Sequence, residues 1–159
     1  MTTELLHNYQ IKDIDFETIL PLWKLLWPNT VDIQPMSSIK YLGSYDMDIY
    51  TKFKPTFLGL YDNEILIGSI SGHKTSHEDY RIRGIYILPE YRAKGLSKLL
   101  FDAVISQAKK ENSTQIWSLP KKEAFFSYKK NNFIQTTKWF ETPYGRNCFA
   151  IRVVNKTFN

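Results

Sequence analysis

The hydrophobic period of this chain changes several times along its length, and each change marks an element. Residues 9–14 alternate weakly and read as a first strand. Asp15 has the short acceptor side chain of a helix N-cap, and residues 16–27 follow with Ile19, Trp23, Leu26 and Trp27 on one face. Pro21 is placed near the first turn, where a missing N–H costs least, and Pro28-Asn29 ends the helix. Residues 30–36 read as loop and residues 38–42 as a second short helix. The stretch 43–53 has no decisive period.

From residue 56 the period becomes two. Residues 56–61 and 65–73 form a hairpin around the Asp62-Asn63 turn. Residues 74–79 are a polar loop. Residues 80–88 form another strand, with Ile82, Tyr86 and Leu88 on one face and Ile85 and Ile87 on the other. Gly84, in its middle, predicts a bulge or a close backbone approach. Pro89-Glu90 breaks that strand. Leu96, Leu99, Leu100, Ala103, Val104 and Ala108 then follow helical spacing, with Lys109-Lys110 at the end favoured for cations. Residues 114–119 read as strand, 123–130 as helix, and 133–140 and 149–154 as two last strands joined through Tyr144-Gly145-Arg146-Asn147. The order βαα-βββ-α-β-α-ββ predicts an α/β (α+β) fold. Its sheet is mixed, mainly antiparallel, with about six to seven strands and helices on both faces.

Composition narrows the class. A chain of 159 residues, with 43% hydrophobic and 23% charged residues, is sized and composed as one globular domain spanning 1–159. The single cysteine, Cys148, forbids an internal disulfide, suits a reducing compartment and reads as a small buried hydrophobe. The start lacks a signal-peptide pattern and no apolar run is long enough to span a bilayer. The expected location is cytoplasmic, with no membrane partner. The net charge of +5 is spread over lysine pairs at positions 109–110, 121–122 and 129–130, which read as solvated helix ends and loops. No basic stripe interleaved with aromatics is present, so no nucleic acid is expected, and no zinc spacing is present, so no metal is expected.

The chemistry concentrates in residues 85–100, IYILPEYRAKGLSKLL. A strand ends there and a short loop opens an amphipathic helix. Free N–H groups and partial positive charge at such a helix start suit a phosphate. Gly95 admits close approach of an anion, Ser97 is small and can donate one bond, and Arg92, Lys94 and Lys98 add charge. The loop matches neither a Walker A pattern nor G-x-G-x-x-G.

Arg92-Ala93-Lys94-Gly95-Leu96-Ser97 resembles the Arg/Gln-x-x-Gly-x-Gly/Ala loop of the GNAT superfamily of acyl-CoA N-acyltransferases, with Ser97 replacing the final small residue. The segment from Glu123 to Phe133 is similar to that family's Ala-x-x-x-Tyr-x-x-x-Gly-Phe at Ala124, Tyr128 and Phe133. Asn132 replaces its glycine, the next-best residue for a left-handed helix end. Lys121 stands where many members carry an Asn that contacts the cofactor. The resemblance covers about residues 56–140.

What it implies is an acyltransferase that takes acetyl-CoA (coenzyme A) as co-substrate. Residues 92–98 (Arg92, Ala93, Lys94, Gly95, Leu96, Ser97, Lys98) would bind the diphosphate, and Ile85, Tyr86 and Ile87 would pair with the pantetheine arm. The N–H near Ile87 would face the thioester oxygen. Tyr128 would protonate the departing thiolate. The acceptor would be a small-molecule or protein amine, and the protein a monomer or homodimer. Some members carry a strand Glu as base; Arg81 stands there and cannot serve. His73, His77, Glu78 and Asp79 are nearby, a water chain is equally open, and no base is assigned. Trp23 and Trp27 read first as core aromatics, and with Tyr144 are candidates to line an acceptor site. A non-catalytic acyl-CoA-binding module on the same fold is the alternative.

Overall fold

The computed structural model describes residues 6–37 and 49–154. The helix expected over 38–42 lies outside the described residues. Of the undecided stretch 43–53, residues Ile49–Lys52 form the short helix α2.

The chain opens with β1 (Tyr9–Ile14) and α1 (Phe16–Leu26), whose first turn is closed by the Asp15 carboxylate accepting from the Thr18 amide at 2.8 Å. Pro21 lies inside this helix, not at its first turn. Its missing donor falls a full turn after the free N-terminal amides, on the exposed face, opposite buried Ile19 and Trp23. Next come β2 (Thr56–Asp62), β3 (Ile65–Lys74) and β4 (Asp79–Ile87), then a 3-10 turn at Pro89–Tyr91 and α3 (Ser97–Lys110). β5 (Gln115–Ser118) and α4 (Phe125–Lys130) complete the middle of the chain.

The expected pair of last strands is divided more finely: β6 (Ile134–Gln135), a separate hairpin of β7 (Phe140–Thr142) and β8 (Gly145–Asn147), and β9 (Ala150–Val153). The strand expected over 133–140 breaks after Gln135. There the Thr136 amide bonds to the Phe149 carbonyl and the Thr137 hydroxyl accepts from the Phe149 amide, so side chain and backbone bridge the ladder.

The described strands build a seven-stranded sheet in the order β1-β2-β3-β4-β5-β9-β6, antiparallel except for the β4–β5 pair. Alternation along β2 fixes the layers. Leu58 and Leu60 face the large core formed with Leu100, Phe101 and Val104 of α3, while Phe57 faces the smaller cluster formed with Ile19 and Trp23 of α1. Helices therefore cover both faces.

Gly84 has φ +70, and the β3–β4 register slips there by one residue, the bulge the sequence predicts. Its consequence for the faces is a correction. The extra residue resets the alternation, so Ile82, Ile85 and Ile87 all pack against the α3 core. Leu99, expected on the packed face of α3, is exposed, and Phe101 and Ile105 are buried instead.

Two helices end in the same left-handed device, at Asn112 (φ 62) and Asn132 (φ 67). After α4, the Phe133 amide bonds to the Tyr128 carbonyl and the Asn132 amide to the Lys129 carbonyl, both at 3.1 Å. This is a Schellman closure, and its accompanying apolar contact is the Tyr128–Phe133 ring pair, with centroids 5.3 Å apart. The helix-end signal thus fixes the phenol that the resemblance names as the acid. No helix among the described residues is long and apolar enough to cross a membrane.

Candidate functional site

The parallel β4–β5 ladder pairs only Asp79, Tyr80 and Arg81 with Gln115, Ile116 and Trp117. Beyond that point β4 runs on to Ile87 while β5 ends at Ser118, so the strands part. A cleft of about 180 Å³ opens there. Arg81, Gly84 and Ile85 form one wall, Ser118, Lys121 and Tyr128 another, and the 30–37 loop with Trp27 and Tyr144 rims it.

The sequence-assigned loop lies where β4 leads into α3. Arg92 donates from Nε to the Ile87 carbonyl at 2.7 Å, and its guanidinium sits 5.2 Å from the Tyr86 ring centre. Lys94 sits 5.4 Å from the Tyr91 ring centre, and Lys98 pairs with Asp102 at 2.7 Å. Leu96 is buried and anchors the turn, whereas Ala93, Lys94 and Gly95 are exposed. Gly95 has φ +74 with open space where a Cβ would stand. Ala93 also adopts positive φ, +61, a strained conformation for a residue with a side chain. The left-handed Gly95 followed by the right-handed Leu96 sets successive amides into a concave anion-binding arrangement. Leu96 caps α3 without a side-chain bond, and among the described residues no amide from 93 to 98 donates to a protein acceptor. Such a helix start is chemically fitted to hold a phosphate.

Tyr128 is fully buried among Phe101 and Phe133, with the Phe101 ring edge-on at 5.0 Å. Its hydroxyl meets Ser118 Oγ at 3.0 Å, and the same Ser118 hydroxyl meets the Ile82 carbonyl at 2.9 Å. Burial pushes the phenol above its ordinary pKa, opposed by the Ser118 hydrogen bond and by the Arg81 charge.

None of the four acid–base candidates lines the cleft, and His77 and Glu78 lie exposed in the turn between β3 and β4. His73 is buried, its Nε2 accepts from the Ser37 amide at 3.2 Å and its Nδ1 bonds to the Lys74 carbonyl at 3.1 Å. Burial and the neighbouring Arg81 and Arg83 charges lower its pKa to about 3, so it is a neutral structural imidazole. Asp79 is engaged by Ser76 at the far, paired end of β4. Arg81 is buried and lies 4.6 Å from the Trp117 ring centre. Cys148 is buried and burial raises its thiol to about 11, consistent with an inert packing role. Trp23 is core, Trp27 and Tyr144 reach the cleft, and the Arg83 guanidinium stacks on both tryptophans at 4.7 and 4.9 Å.

Two residues on the wall carry no signal in sequence. Asp32 is the only acidic side chain lining the cleft among the described residues, and it sits in a loop without a motif. Ser118 is an ordinary strand-end serine until the fold sets it against Tyr128. No three His, Cys, Asp or Glu side chains gather as a metal site among the described residues.

The fold recurs in solved structures. An acetyltransferase from Streptococcus agalactiae superposes with a TM-score of 0.66 at 18% identity, covering 92% of this chain and 98% of that one. Ard1 from Thermoplasma volcanium gives 0.67 at 17% identity, covering 93% and 99%. A GNAT family acetyltransferase from Elizabethkingia anophelis, with acetyl-CoA bound, gives 0.64 at 16% identity, covering 92% and 99%. No curated protein matches the sequence. The model of the acetyltransferase (GNAT) family matches residues 19–133, which reach from α1 through the parted strands to the Schellman end of α4, and the chain belongs to that family.

Proposed function

We propose that this protein transfers an acetyl group from acetyl-CoA to a primary amine by direct attack within a ternary complex, and that residues 92–98 with Tyr128 carry the reaction. The observation that bears most weight is that Tyr128 lines the cleft that opens where β4 and β5 part. The diphosphate binds the amides around Gly95, with Arg92, Lys94 and Lys98 beside it. The pantetheine arm runs along Ile85, Tyr86 and Ile87, on the edge of β4 that β5 leaves unpaired. An N–H near Ile87 stabilises the tetrahedral oxyanion. The amine nitrogen attacks the thioester carbonyl, the C–N bond forms, the C–S bond breaks, Tyr128 gives its proton to the sulfur, and the extra proton on the new amide nitrogen passes to water.

An alkyl amine has a pKa of about 10.4, so it arrives mostly protonated and must lose a proton before attack. Asp32 is the one described carboxylate on a cleft lined also by Arg81, Arg83 and Lys121, and it supports reading its own side as the entrance for a cationic acceptor. Trp27, whose ring already carries the Arg83 guanidinium, adds apolar contact for the same group, and Tyr144 adds cation–π contact.

The test is thiol release from acetyl-CoA in the presence of a panel of primary amines, run with wild type and Tyr128→Phe. Turnover that falls in the variant while acetyl-CoA affinity holds supports the reading. Binding of acetyl-CoA with no turnover on any amine would replace it with a non-catalytic acyl-CoA-binding role.

A further inference from the structure

The hydroxyl of Ser118 holds one proton and has two neighbours that can take it. It lies 2.9 Å from the Ile82 carbonyl and 3.0 Å from the Tyr128 hydroxyl. A carbonyl can only accept, so when Ser118 donates to Ile82, the Tyr128 proton is directed at Ser118 Oγ and away from the cleft. The Ile82 carbonyl has a second donor, Arg81 Nε, at 3.1 Å. Ser118 can therefore turn its proton from Ile82 to Tyr128 without leaving that buried carbonyl unpaired, a loss that would otherwise oppose the turn. Once it turns, the Tyr128 proton is released toward the cleft, and the phenolic oxygen accepts a bond from Ser118.

We infer that Ser118 is a positioning residue for Tyr128, a hydroxyl switch that frees the phenol's proton for the cleft and donates to the oxygen left behind. The inference rests on the proposed role of Tyr128 as the acid. In the reaction, the Tyr128 O–H bond breaks as an S–H bond forms on the coenzyme A sulfur. The resulting phenolate is held by the Ser118 O–H and recovers a proton, through water, from the nitrogen that sheds one on becoming the amide. Arg81, occupying the strand position where some relatives have a carboxylate, serves the switch by keeping the Ile82 carbonyl satisfied and by placing a positive charge near the phenolate. The surroundings fix the geometry. Ser118 is almost fully buried at the end of β5, and Tyr128 is clamped by Phe101 and Phe133.

The experiment measures steady-state thiol release from acetyl-CoA, with the best acceptor from the amine panel, for Ser118→Ala, Ser118→Thr, Tyr128→Phe and the Ser118→Ala/Tyr128→Phe double variant. A hydrogen bond to a developing charge sets the expected size, so Ser118→Ala lowers kcat about tenfold with KM for acetyl-CoA little changed. Ser118→Thr, which keeps the hydroxyl, recovers most of that loss. In the Tyr128→Phe background, Ser118→Ala costs nothing further, because its effect passes through the phenol. Wild-type kcat in Ser118→Ala, or an undiminished loss in the double variant, overturns the switch while leaving the Tyr128 assignment standing. Wild-type turnover in Tyr128→Phe overturns both.

Discussion

The indole N–H of Trp23 donates to the carbonyl of Gly84 at 3.0 Å, tying the middle of α1 to the bulge of β4 across 61 residues of sequence. Ser69 Oγ donates to the same carbonyl at 3.0 Å, so the bulge is held from helix and neighbouring strand together. The bulge turns Ile85 and Ile87 toward the α3 core and sets Gly84 and Ile85 on the cleft wall.

Gly84→Ala is therefore expected to destabilise the fold by about 3 kcal/mol, because it combines backbone strain at positive φ with overpacking. A Cβ at that position collides with the Trp23 ring. Urea denaturation followed by tryptophan fluorescence measures the loss. A stability equal to wild type would show that the bulge is not locked as described.

Gly95→Ala separates folding from cofactor binding. The position has open space, so the fold loses only about 1 kcal/mol to the left-handed backbone. A methyl group in that space obstructs a diphosphate at the helix start, and coenzyme A affinity falls about tenfold or more by calorimetry. Affinity for acetyl-pantetheine, which lacks the diphosphate, stays at its wild-type value. Equal losses for both ligands would place the diphosphate elsewhere.

Much of this was legible from the chain alone, and the misses share a cause. The Asp15 cap, the Gly84 bulge and the Asn132 helix end depend on local backbone preferences, which a few neighbouring residues determine. The faces of β4 were misread because one inserted residue inverts alternation for every position beyond it, and Ile82 and Ile85 then share a side. The left-handed Ala93 was missed because alanine carries no signal for positive φ. Ser118, Asp32 and the β7–β8 hairpin tip meet the cleft only through long-range packing. Motif spacing pointed to Tyr128; its partner, ten residues away on another element, has no motif to reveal it.

Asp32→Asn tests the acceptor side. With the cleft's one described carboxylate neutralised, KM for a cationic amine rises about fivefold, the scale of one partly screened charge contact, while KM for acetyl-CoA is unchanged. An unchanged amine KM would move the acceptor entrance to another wall.

His73 gives a pH signature. Its folded pKa is lowered to about 3 from an ordinary 6.5, so the unfolded chain binds the proton first. The stability it supports is fully present above 6.5 and declines as pH falls toward 3, by up to about 1.4 kcal/mol per pH unit. His73→Gln flattens this limb of the melting temperature against pH relative to wild type. Parallel curves for the two proteins would mean that His73 does not stay neutral in the fold.

Tyr128→Phe keeps the ring packing against Phe101 and Phe133 and removes the proton donor. Its kcat is expected to fall about 100-fold, the scale of a general acid, with acetyl-CoA affinity held within about twofold. Stopped-flow thiol detection and calorimetry read the two quantities, and an equal kcat would remove the phenol from the reaction.

A crystal structure with coenzyme A bound measures the central relationship directly. The account predicts the diphosphate on the amides of residues 93–98 and the sulfur within hydrogen-bonding reach of Tyr128 Oη. A diphosphate held away from Gly95, or a sulfur remote from that hydroxyl, would contradict it.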